Sequence, residues 1–241
     1  MPFLRSVQLR VPHPIAFCAI GWVTTTPAQW VLILLLYYIT DRTQFPGSDS
    51  QRRKRLLGKM SEAALAGVDY VQLREKDLSG RALESLADEA AQLISHSRSG
   101  TRLLINSRTD IALAAKAHGV HLTSNDISPL DVKKIWHEAR SSDPIIAASC
   151  HTEADVIAAK SASADFVVFG PVFEKPGAKE TTGIDQLRQV CRHKIPVLAL
   201  GGVTTENAHV CIAAGACGIA GIRLFQENDI ATLVTKLRGL K

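Results

Sequence analysis

Short runs of apolar residues alternate with amphipathic segments along most of this chain of 241 residues. Each run is almost continuously aliphatic, which is typical of strands that are covered on both faces in a parallel sheet. The pattern predicts eight strands, at residues 32–40, 68–74, 102–106, 119–122, 145–149, 166–169, 197–200 and 218–224.

The segments between these runs have helical periodicity. Apolar side chains recur at helical spacing within 83–94 and again within 230–240, so each segment is predicted to bury one face of a helix. Ser128 precedes Pro129, a pairing that favours an N-cap, and Thr152 begins a capping-box pattern. Thr204 is predicted to cap a further helix in the same way.

A weak internal repeat defines the architecture. Val71, Val120, Val167 and Ile219 each follow a turn with small residues, and they are 49, 47 and 52 residues apart. That distance equals two strand–helix units, so four double units give eight strands and eight helices. Right-handed crossovers then favour a closed (β/α)₈ TIM barrel, an eight-stranded parallel α/β fold, as one domain over residues 31–241. A doubly wound open sheet is the alternative, although no Gly-rich turn follows the first strand.

Charge and cysteine content narrow the function classes. The formal net charge is +5, yet Lys and Arg are interspersed with Asp and Glu. This pattern disfavours a nucleic-acid partner and is compatible with anionic small ligands. The five cysteines include no CxxC pair or Cys/His cluster, which predicts a reduced cytoplasmic chain without structural zinc.

The first residues differ from the rest of the chain. Residues 11–40 contain no Asp, Glu, Lys or Arg, and Arg5 and Arg10 precede them, as in a signal or membrane anchor. Polar residues at 24–29 interrupt the stretch. We therefore expect residues 1–30 to form an N-terminal extension of uncertain structure, with membrane association as the less favoured alternative.

Candidate chemistry is expected at the carboxyl ends of the strands, where active sites of such barrels lie. Alternation along the second strand predicts that Gln72, Arg74 and Lys76 share one side. Arg offers a planar fork and Lys a point charge, so this row suits a phosphate or diphosphate. Alternatively, Arg74 and Lys76 pair with Glu75 or Asp77 at the rim.

Other strand ends contribute further candidates. Asn106 is either a ligand-binding amide or a turn residue, and His121 is interpreted as a buried core histidine. His151 is a candidate for proton transfer. Paired Gly201 and Gly202 either form a tight turn or let backbone amides approach a phosphate. The remaining polar residues at strand ends are Thr123, Asp126, Ser149 and Arg223.

Six motifs resemble a known family. In order they are "YYITD", "VQLREKD", "LLINSRTDIALAAKAHGVHL", "FGPVF", "IPVLALGGVTTENA" and "AGACGIAGI". Together, from residue 37 to 225, they are similar to the thiamine phosphate synthase and thiazole tautomerase family. The resemblance implies a (β/α)₈ barrel, and barrels of this kind often form homo-oligomers. For the synthase it implies a transferase that joins hydroxymethylpyrimidine diphosphate to thiazole phosphate and releases diphosphate.

The resemblance also implies residue roles. Asp126 matches a carboxylate that holds Mg²⁺, and Ser149 a position that contacts the pyrimidine. Gly202 and the end of strand 8, with Arg223, match the thiazole phosphate site, and Lys179 is a candidate for a lysine of the preceding loop. The positions that match diphosphate-binding residues are Gln72, Arg74, Lys76 and Asn106.

Three departures from the family pattern keep alternatives open. Ser107 replaces a second metal carboxylate, "EKPGAKETTG" lacks the usual Thr-x-Thr-Lys stretch, and Arg223 replaces a small hydroxyl residue. The tautomerase, an isomerase that needs no metal, is one alternative, with His151 as its proton shuttle. A barrel that binds a thiamine precursor without catalysis is another. Lys76 and Asp126 favour the synthase, because a reaction that expels no diphosphate has no evident use for them.

Overall fold

The computed structural model describes residues 34–140, 142–174 and 181–240. Within them, eight parallel strands close into a barrel in sequence order, each bonded to the next and β8 bonded to β1. This confirms the predicted (β/α)₈ barrel. The strands are β1 (Leu35–Ile39), β2 (Tyr70–Leu73), β3 (Arg102–Asn106), β4 (Gly119–Leu122), β5 (Ile145–Cys150), β6 (Phe166–Phe169), β7 (Val197–Ala199) and β8 (Gly218–Gly221).

Helices follow the strands and surround the barrel. Short 3₁₀ turns add to them at Arg42–Gln44 and Cys191–His193. The helices are α1 (Asp49–Leu65), α2 (Gly80–His96), α3 (Thr109–Ala114), α4 (Pro129–Ala139), α5 (Glu153–Ser161), α6 (Gly183–Val190), α7 (Ala208–Ala213), α8 (Arg223–Gln226) and α9 (Ile230–Arg238).

Two apolar layers hold these elements together, because alternate strand residues face opposite sides of the sheet. The four positions of the internal repeat lie on the even-numbered strands, fully buried in the layer between strands and helices. The second layer fills the barrel interior, where Tyr37, Tyr70 and Phe166 pack ring against ring with centroids 5.0–5.9 Å apart. The barrel is therefore a packed core with its site at one end.

The helix caps agree with the sequence at two of three positions. Ser128 accepts a hydrogen bond from the Asp131 amide, and Thr152 forms a capping box with Asp155. The prediction that Thr204 caps a helix is wrong. Asn207 occupies the N-cap of α7, while the Thr204 amide donates to its side chain. The Asn side chain closes the preceding turn, which delays the start of the helix.

Two strands end earlier than predicted, which changes the setting of two candidates. β2 stops at Leu73, so Lys76 lies in a turn and not on a strand face. β8 stops at Gly221, and Arg223 is the first residue of α8. A run of apolar residues indicates which residues are buried, and residues remain buried after the backbone has left the sheet. The predicted strands were therefore too long at these ends.

The predicted extension at residues 1–30 lies outside the described residues, so the domain boundary at residue 31 stays a prediction. Among the helices described, none is both long and apolar enough to cross a membrane. Cys150, Cys191 and Cys211 form no disulfide. The cytoplasmic location also stays a prediction.

Candidate active site

Four of the candidate polar side chains share the inward parity of the barrel strands. Gln72 lies two residues after Tyr70 on β2, and Ser149 two residues after Ala147 on β5. Asn106 and His121 are paired in the register of β3 and β4. Because side chains alternate along a strand, all four continue the inner layer of the barrel toward its carboxyl end. The sequence prediction of a polar mouth rests on this parity.

A hydrogen-bonded chain runs along the mouth from β2 to the turn after β4. The Gln72 amide nitrogen donates to Asn106 Oδ1 at 2.7 Å, and Asn106 Nδ2 donates to Ser107 Oγ at 3.0 Å. Ser107 Oγ then donates to Asp126 Oδ2 at 2.8 Å. The structure thus brings together three residues that the sequence proposed and adds Ser107 as the link between them.

The two carboxylate oxygens of Asp126 differ in their hydrogen bonds. Oδ2 accepts bonds from Ser107 Oγ and from the amide and hydroxyl of Thr123, at 2.6–2.9 Å. No hydrogen bond to Oδ1 is found among the described residues. A carboxylate held by one oxygen keeps the other available for a cation or a donor, and its orientation is fixed beforehand.

A second chain crosses the barrel interior below the first. The Tyr37 hydroxyl is 2.9 Å from His121 Nδ1, and His121 Nε2 is 2.7 Å from Ser149 Oγ. Burial lowers the pKa of His121 to about 3, with a smaller contribution from the charge of Arg74. Burial also raises the pKa of Tyr37 well above its usual value. His121 is thus a neutral ring that carries one N–H, and both of its nitrogens are engaged.

His121 was interpreted as a buried core histidine, and its burial agrees with that interpretation. It is 2% exposed and stacks on Tyr37 with centroids 5.7 Å apart. The structure adds that it orients Ser149, which is a site candidate. His121 therefore connects the packed interior to the mouth.

Arg74 follows the end of β2 and is half-buried. Its amide donates to Thr40 Oγ1 at 2.9 Å, and Thr40 Oγ1 donates to Glu75 at 2.6 Å. Glu75 also accepts the Arg42 amide at 2.9 Å. These bonds fix the backbone of the Arg74 segment against the end of β1 through the buried carboxylate of Glu75.

The alternative in which Arg74 and Lys76 pair with neighbouring acids is wrong. Glu75 and Asp77 both pair with Arg42, at 3.9 and 2.8 Å, and Asp49 joins them at 2.7 Å. In the part of the chain that the structure describes, neither Arg74 nor Lys76 forms an ion pair. Two cations without carboxylate partners at a barrel mouth favour an anionic ligand.

His151 lies at the rim, where its side chain is exposed. Its Nδ1 donates to the backbone carbonyl of Gly170, and its amide donates to Asp155 at 2.9 Å. Because a carbonyl can only accept, Nδ1 carries the proton in the neutral ring and Nε2 is left as an acceptor. His151 is the one candidate whose free nitrogen is suited to proton transfer.

Gly201 and Gly202 form the turn after β7, with φ of 93° and 66°. A Cβ on Gly202 would lie 2.7 Å from the Glu174 carbonyl oxygen and from the Phe173 side chain. Only glycine fits here, because the backbone has positive φ and packs against residues 173 and 174. Arg223 begins α8 near the end of β8. Lys179 lies outside the described residues.

No group of three or more His, Cys, Asp or Glu side chains suitable for a metal is present between residue 34 and residue 240, outside the undescribed gaps. Among the described candidates for the mouth, Asp126 is the one carboxylate. A metal held by Asp126 would take its remaining ligands from a substrate, from water or from neutral oxygens.

Two residues of the site were missed by the sequence reasoning. Tyr37 bonds to His121, and Thr40 bonds to both Arg74 and Glu75. Both belong to the first strand or its end, from which no candidate was collected. The rule that chemistry gathers at the carboxyl ends of strands, applied to β1 as well, would have found Thr40.

Comparison with known proteins agrees with the geometry. The sequence model of the thiamine monophosphate synthase family matches residues 36–225. A putative thiamine-phosphate synthase of Geobacter sulfurreducens is 44% identical over 189 residues, which cover 77% of this chain and 83% of that protein. The thiamine-phosphate synthase of Methanoculleus marisnigri is 33% identical over 84% of this chain and 93% of its own length.

A solved structure extends the agreement to the fold. Thiamine phosphate pyrophosphorylase from Pyrococcus furiosus superposes with a TM-score of 0.71 at 29% identity, covering 86% of this chain and 95% of that one. The family match covers the eight strands except Leu35, together with the hydrogen-bonded chain of the mouth and the one in the barrel interior. The chain therefore belongs to the thiamine monophosphate synthase family.

Proposed function

We propose that this protein is a thiamine phosphate synthase that joins a hydroxymethylpyrimidine diphosphate to a thiazole phosphate. The observation that carries the proposal is the half-buried Arg74, which has no ion-pair partner among the described residues and follows Gln72, the first member of the chain that ends at Asp126, by two residues. Family membership supports the same reaction.

The reaction requires the protein to stabilise charge more than to move protons. The bond between the pyrimidine methylene carbon and the diphosphate oxygen breaks, and its electron pair leaves with the diphosphate. The thiazole nitrogen then donates its lone pair to that carbon. Negative charge grows on the diphosphate in the transition state, so fixed cations at that point lower the barrier.

Arg74 and Lys76 are the residues suited to that charge. Arg74 binds two diphosphate oxygens through its planar fork, and its backbone is anchored by Thr40. Lys76 is exposed in the turn after β2 and adds a positive charge that is free to move toward the ligand. Asn106 links Gln72 to Ser107 in the hydrogen-bonded chain of the mouth.

The mouth fits a Mg²⁺ ion held partly by the substrate. Mg²⁺ sites commonly use one or two carboxylates together with phosphate oxygens and water, and Asp126 Oδ1 is available among the described hydrogen bonds. Asp126 would hold the ion, with Ser107 and Thr123 fixing the carboxylate. When bound, Mg²⁺ supplies positive charge that neutralises the departing diphosphate.

The pyrimidine ring is assigned to the inner wall near Ser149. Ser149 Oγ is held by His121, so its position is set before the substrate arrives. Gln72 Oε1 is buried and has no hydrogen-bond partner in the described structure. An N–H donor on the bound ring would satisfy this acceptor, which is a role that a diphosphate cannot fill because it only accepts.

The thiazole phosphate is assigned to the turn after β7 and the end of β8. Gly202 lies in the turn after β7, where such barrels bind phosphate, and Arg223 supplies a positive charge at the end of β8. Lys179 remains a candidate from the loop after β6. His151 would accept a proton in the alternative tautomerase reaction, which needs no metal.

Two parallel incubations test the proposal. One contains the two synthase substrates with Mg²⁺, and the other contains the thiazole carboxylate phosphate alone. We expect thiamine phosphate and diphosphate only in the first. Arg74→Ala should lower turnover at least about a hundredfold, whereas Arg81→Ala, which removes an exposed cation from α2, should leave it unchanged. Isomerised thiazole in the second incubation, without product in the first, would identify the tautomerase instead.

A further inference from the structure

A second concentration of positive charge lies at the opposite end of the barrel from the mouth. A cavity of about 590 Å³ opens there between the amino ends of β3, β4 and β5 and the carboxyl end of α4. Its lining includes three cations and one carboxylate, together with His118 and Trp136. The charged residues are Arg102, Lys116, Arg140 and Asp143.

The charges of this cavity are not neutralised within the described structure. Arg102 and Lys116 form no ion pair there, and Asp143 lies 3.3 Å from His137. Arg140 donates to the Ala117 carbonyl at 3.1 Å. Asp143 and the end of α4, which brings about half a negative charge, together do not offset three cations. The net potential of the cavity is positive.

Two residues of the lining, Trp136 and His118, carry uncharged N–H groups. Trp136 is 1% exposed, and its indole Nε1–H has no hydrogen-bond partner in the part of the chain described. Native proteins rarely leave a buried donor without a partner, because the loss of its hydrogen bond to water is then not compensated. His118 accepts the Leu103 amide at its Nδ1, so its Nε2 carries the proton of the neutral ring.

His118 lines the cavity together with both Arg102 and Arg140. Burial lowers its pKa to about 4, and the charges of Arg102 and Arg140 contribute in the same direction. Both guanidinium groups therefore act on one ring. His118 is therefore a neutral N–H donor beside two cations, and it adds no positive charge to the cavity.

We propose that this cavity is a second anion-binding site, at the amino ends of the strands, for a phosphorylated small molecule. The cations would hold the phosphate, with His118 Nε2–H as a further donor, and Trp136 lies in the wall beside them. A cavity of this volume is far larger than a phosphate ion and is in the range of sites for ligands with an organic part. The site is separate from the proposed reaction, which uses the other end of the barrel.

The indole N–H of Trp136 allows a direct test by NMR, because the chain contains only three tryptophans. Its signal in ¹⁵N-labelled protein is assigned with Trp136→Phe. Inorganic phosphate and adenosine 5′-monophosphate are titrated to millimolar concentrations at constant ionic strength. Adenosine without phosphate tests whether the organic part alone binds.

We expect the Trp136 signal to move saturably with phosphate and with the monophosphate, and not with adenosine. Arg74→Ala should leave this response intact, which separates it from the mouth. Arg102→Gln with Lys116→Gln should weaken it at least about tenfold. The control, Lys54→Gln with Arg55→Gln on α1, removes the same charge elsewhere and should change it less than about twofold.

Two outcomes would overturn the proposal. One is a Trp136 signal that does not move with either phosphate probe in the wild-type protein. The other is equal weakening in the cavity variant and in its charge-matched control, which would show nonspecific attraction to a basic surface. Both double variants change exposed side chains, so an unchanged NMR spectrum elsewhere confirms that they are folded.

Discussion

The buried His121 should make the protein sensitive to acid in a way that a single substitution removes. In the unfolded chain its pKa is near 6.5, and in the folded protein burial lowers it to about 3. The folded state therefore favours the neutral ring. The stabilisation from neutral His121 is present above pH about 6.5 and is lost as the pH falls toward about 3.

The magnitude follows from these two values. Between pH about 7.5 and about 5, protonation of His121 in the unfolded chain alone lowers the free energy of unfolding by about 2 kcal/mol. A folded pKa one unit higher would hardly change this number, since the folded ring would still be neutral at pH about 5. His118, whose pKa burial lowers to about 4, adds a similar loss that is the same in every variant discussed next.

Urea denaturation of the wild-type protein and of His121→Gln, at both pH values, measures the effect. Glutamine keeps a donor and an acceptor between Tyr37 and Ser149 but does not titrate in this range. We expect the variant to be less stable at pH about 7.5, because it loses the stacked ring, and to lose about 2 kcal/mol less on acidification. His209→Gln, which changes an exposed residue of α7, should keep the wild-type pH dependence.

Equal acid sensitivity in His121→Gln and in the wild-type protein would refute this reasoning, provided that the m-values agree. It would mean that His121 is protonated in the folded state, so that it could not hold Ser149 through a neutral ring. NMR titration of the His121 ring would show the same failure directly.

Three further predictions concern the mouth. Glu75→Gln should lower the free energy of unfolding by about 2–3 kcal/mol in urea denaturation, because an amide cannot accept from both Thr40 and the Arg42 backbone as the carboxylate does. Gly202→Ala should raise KM for the thiazole phosphate more than it lowers kcat in steady-state assays, since a Cβ there meets the Glu174 carbonyl at 2.7 Å; an unchanged KM would remove Gly202 from that site. Ser107→Asp should lower the Mg²⁺ concentration needed for half-maximal turnover about tenfold. Without Mg²⁺ it should lower Tm, because the new carboxylate is repelled by Asp126, which lies 2.8 Å from the present hydroxyl. A higher Tm without metal would contradict this prediction.

The barrel could be predicted from the sequence because the patterns that indicate it involve residues close together along the chain. An aliphatic run of four to six residues specifies a strand covered on both faces, and a repeat of about fifty residues specifies two strand–helix units. The inward parity of Gln72, Asn106 and Ser149 follows from the same alternation. These features need only neighbours along the chain.

The site depends on contacts that local patterns do not contain. Glu75 pairs with Arg42, 33 residues away, although Arg74 and Lys76 are its neighbours in sequence. A buried carboxylate selects the partner that the fold brings to it, and that choice frees Arg74 for a ligand. The exact ends of strands could not be predicted from the sequence either. After β2 the chain stays partly buried at Arg74 and Glu75, up to the turn at Lys76.

The link through Ser107 could not be predicted for the same reason, because it joins residues that are distant in the sequence. From the sequence, Ser107 was only the absence of a second carboxylate. In the structure its hydroxyl joins Asn106 to Asp126, and its backbone has φ of 61°, which places the side chain toward the mouth network. Where the family pattern implies a second carboxylate, this serine instead fixes the orientation of Asp126.

The most direct test of the account is a single-turnover measurement of diphosphate release from the pyrimidine diphosphate in the presence of thiazole phosphate and Mg²⁺. The account predicts release with formation of thiamine phosphate in the wild-type protein and in Arg81→Ala, and a loss of at least about a hundredfold in rate in Arg74→Ala with unchanged Tm. Equal rates in Arg74→Ala and wild type would contradict the claim that this unpaired guanidinium binds the departing diphosphate.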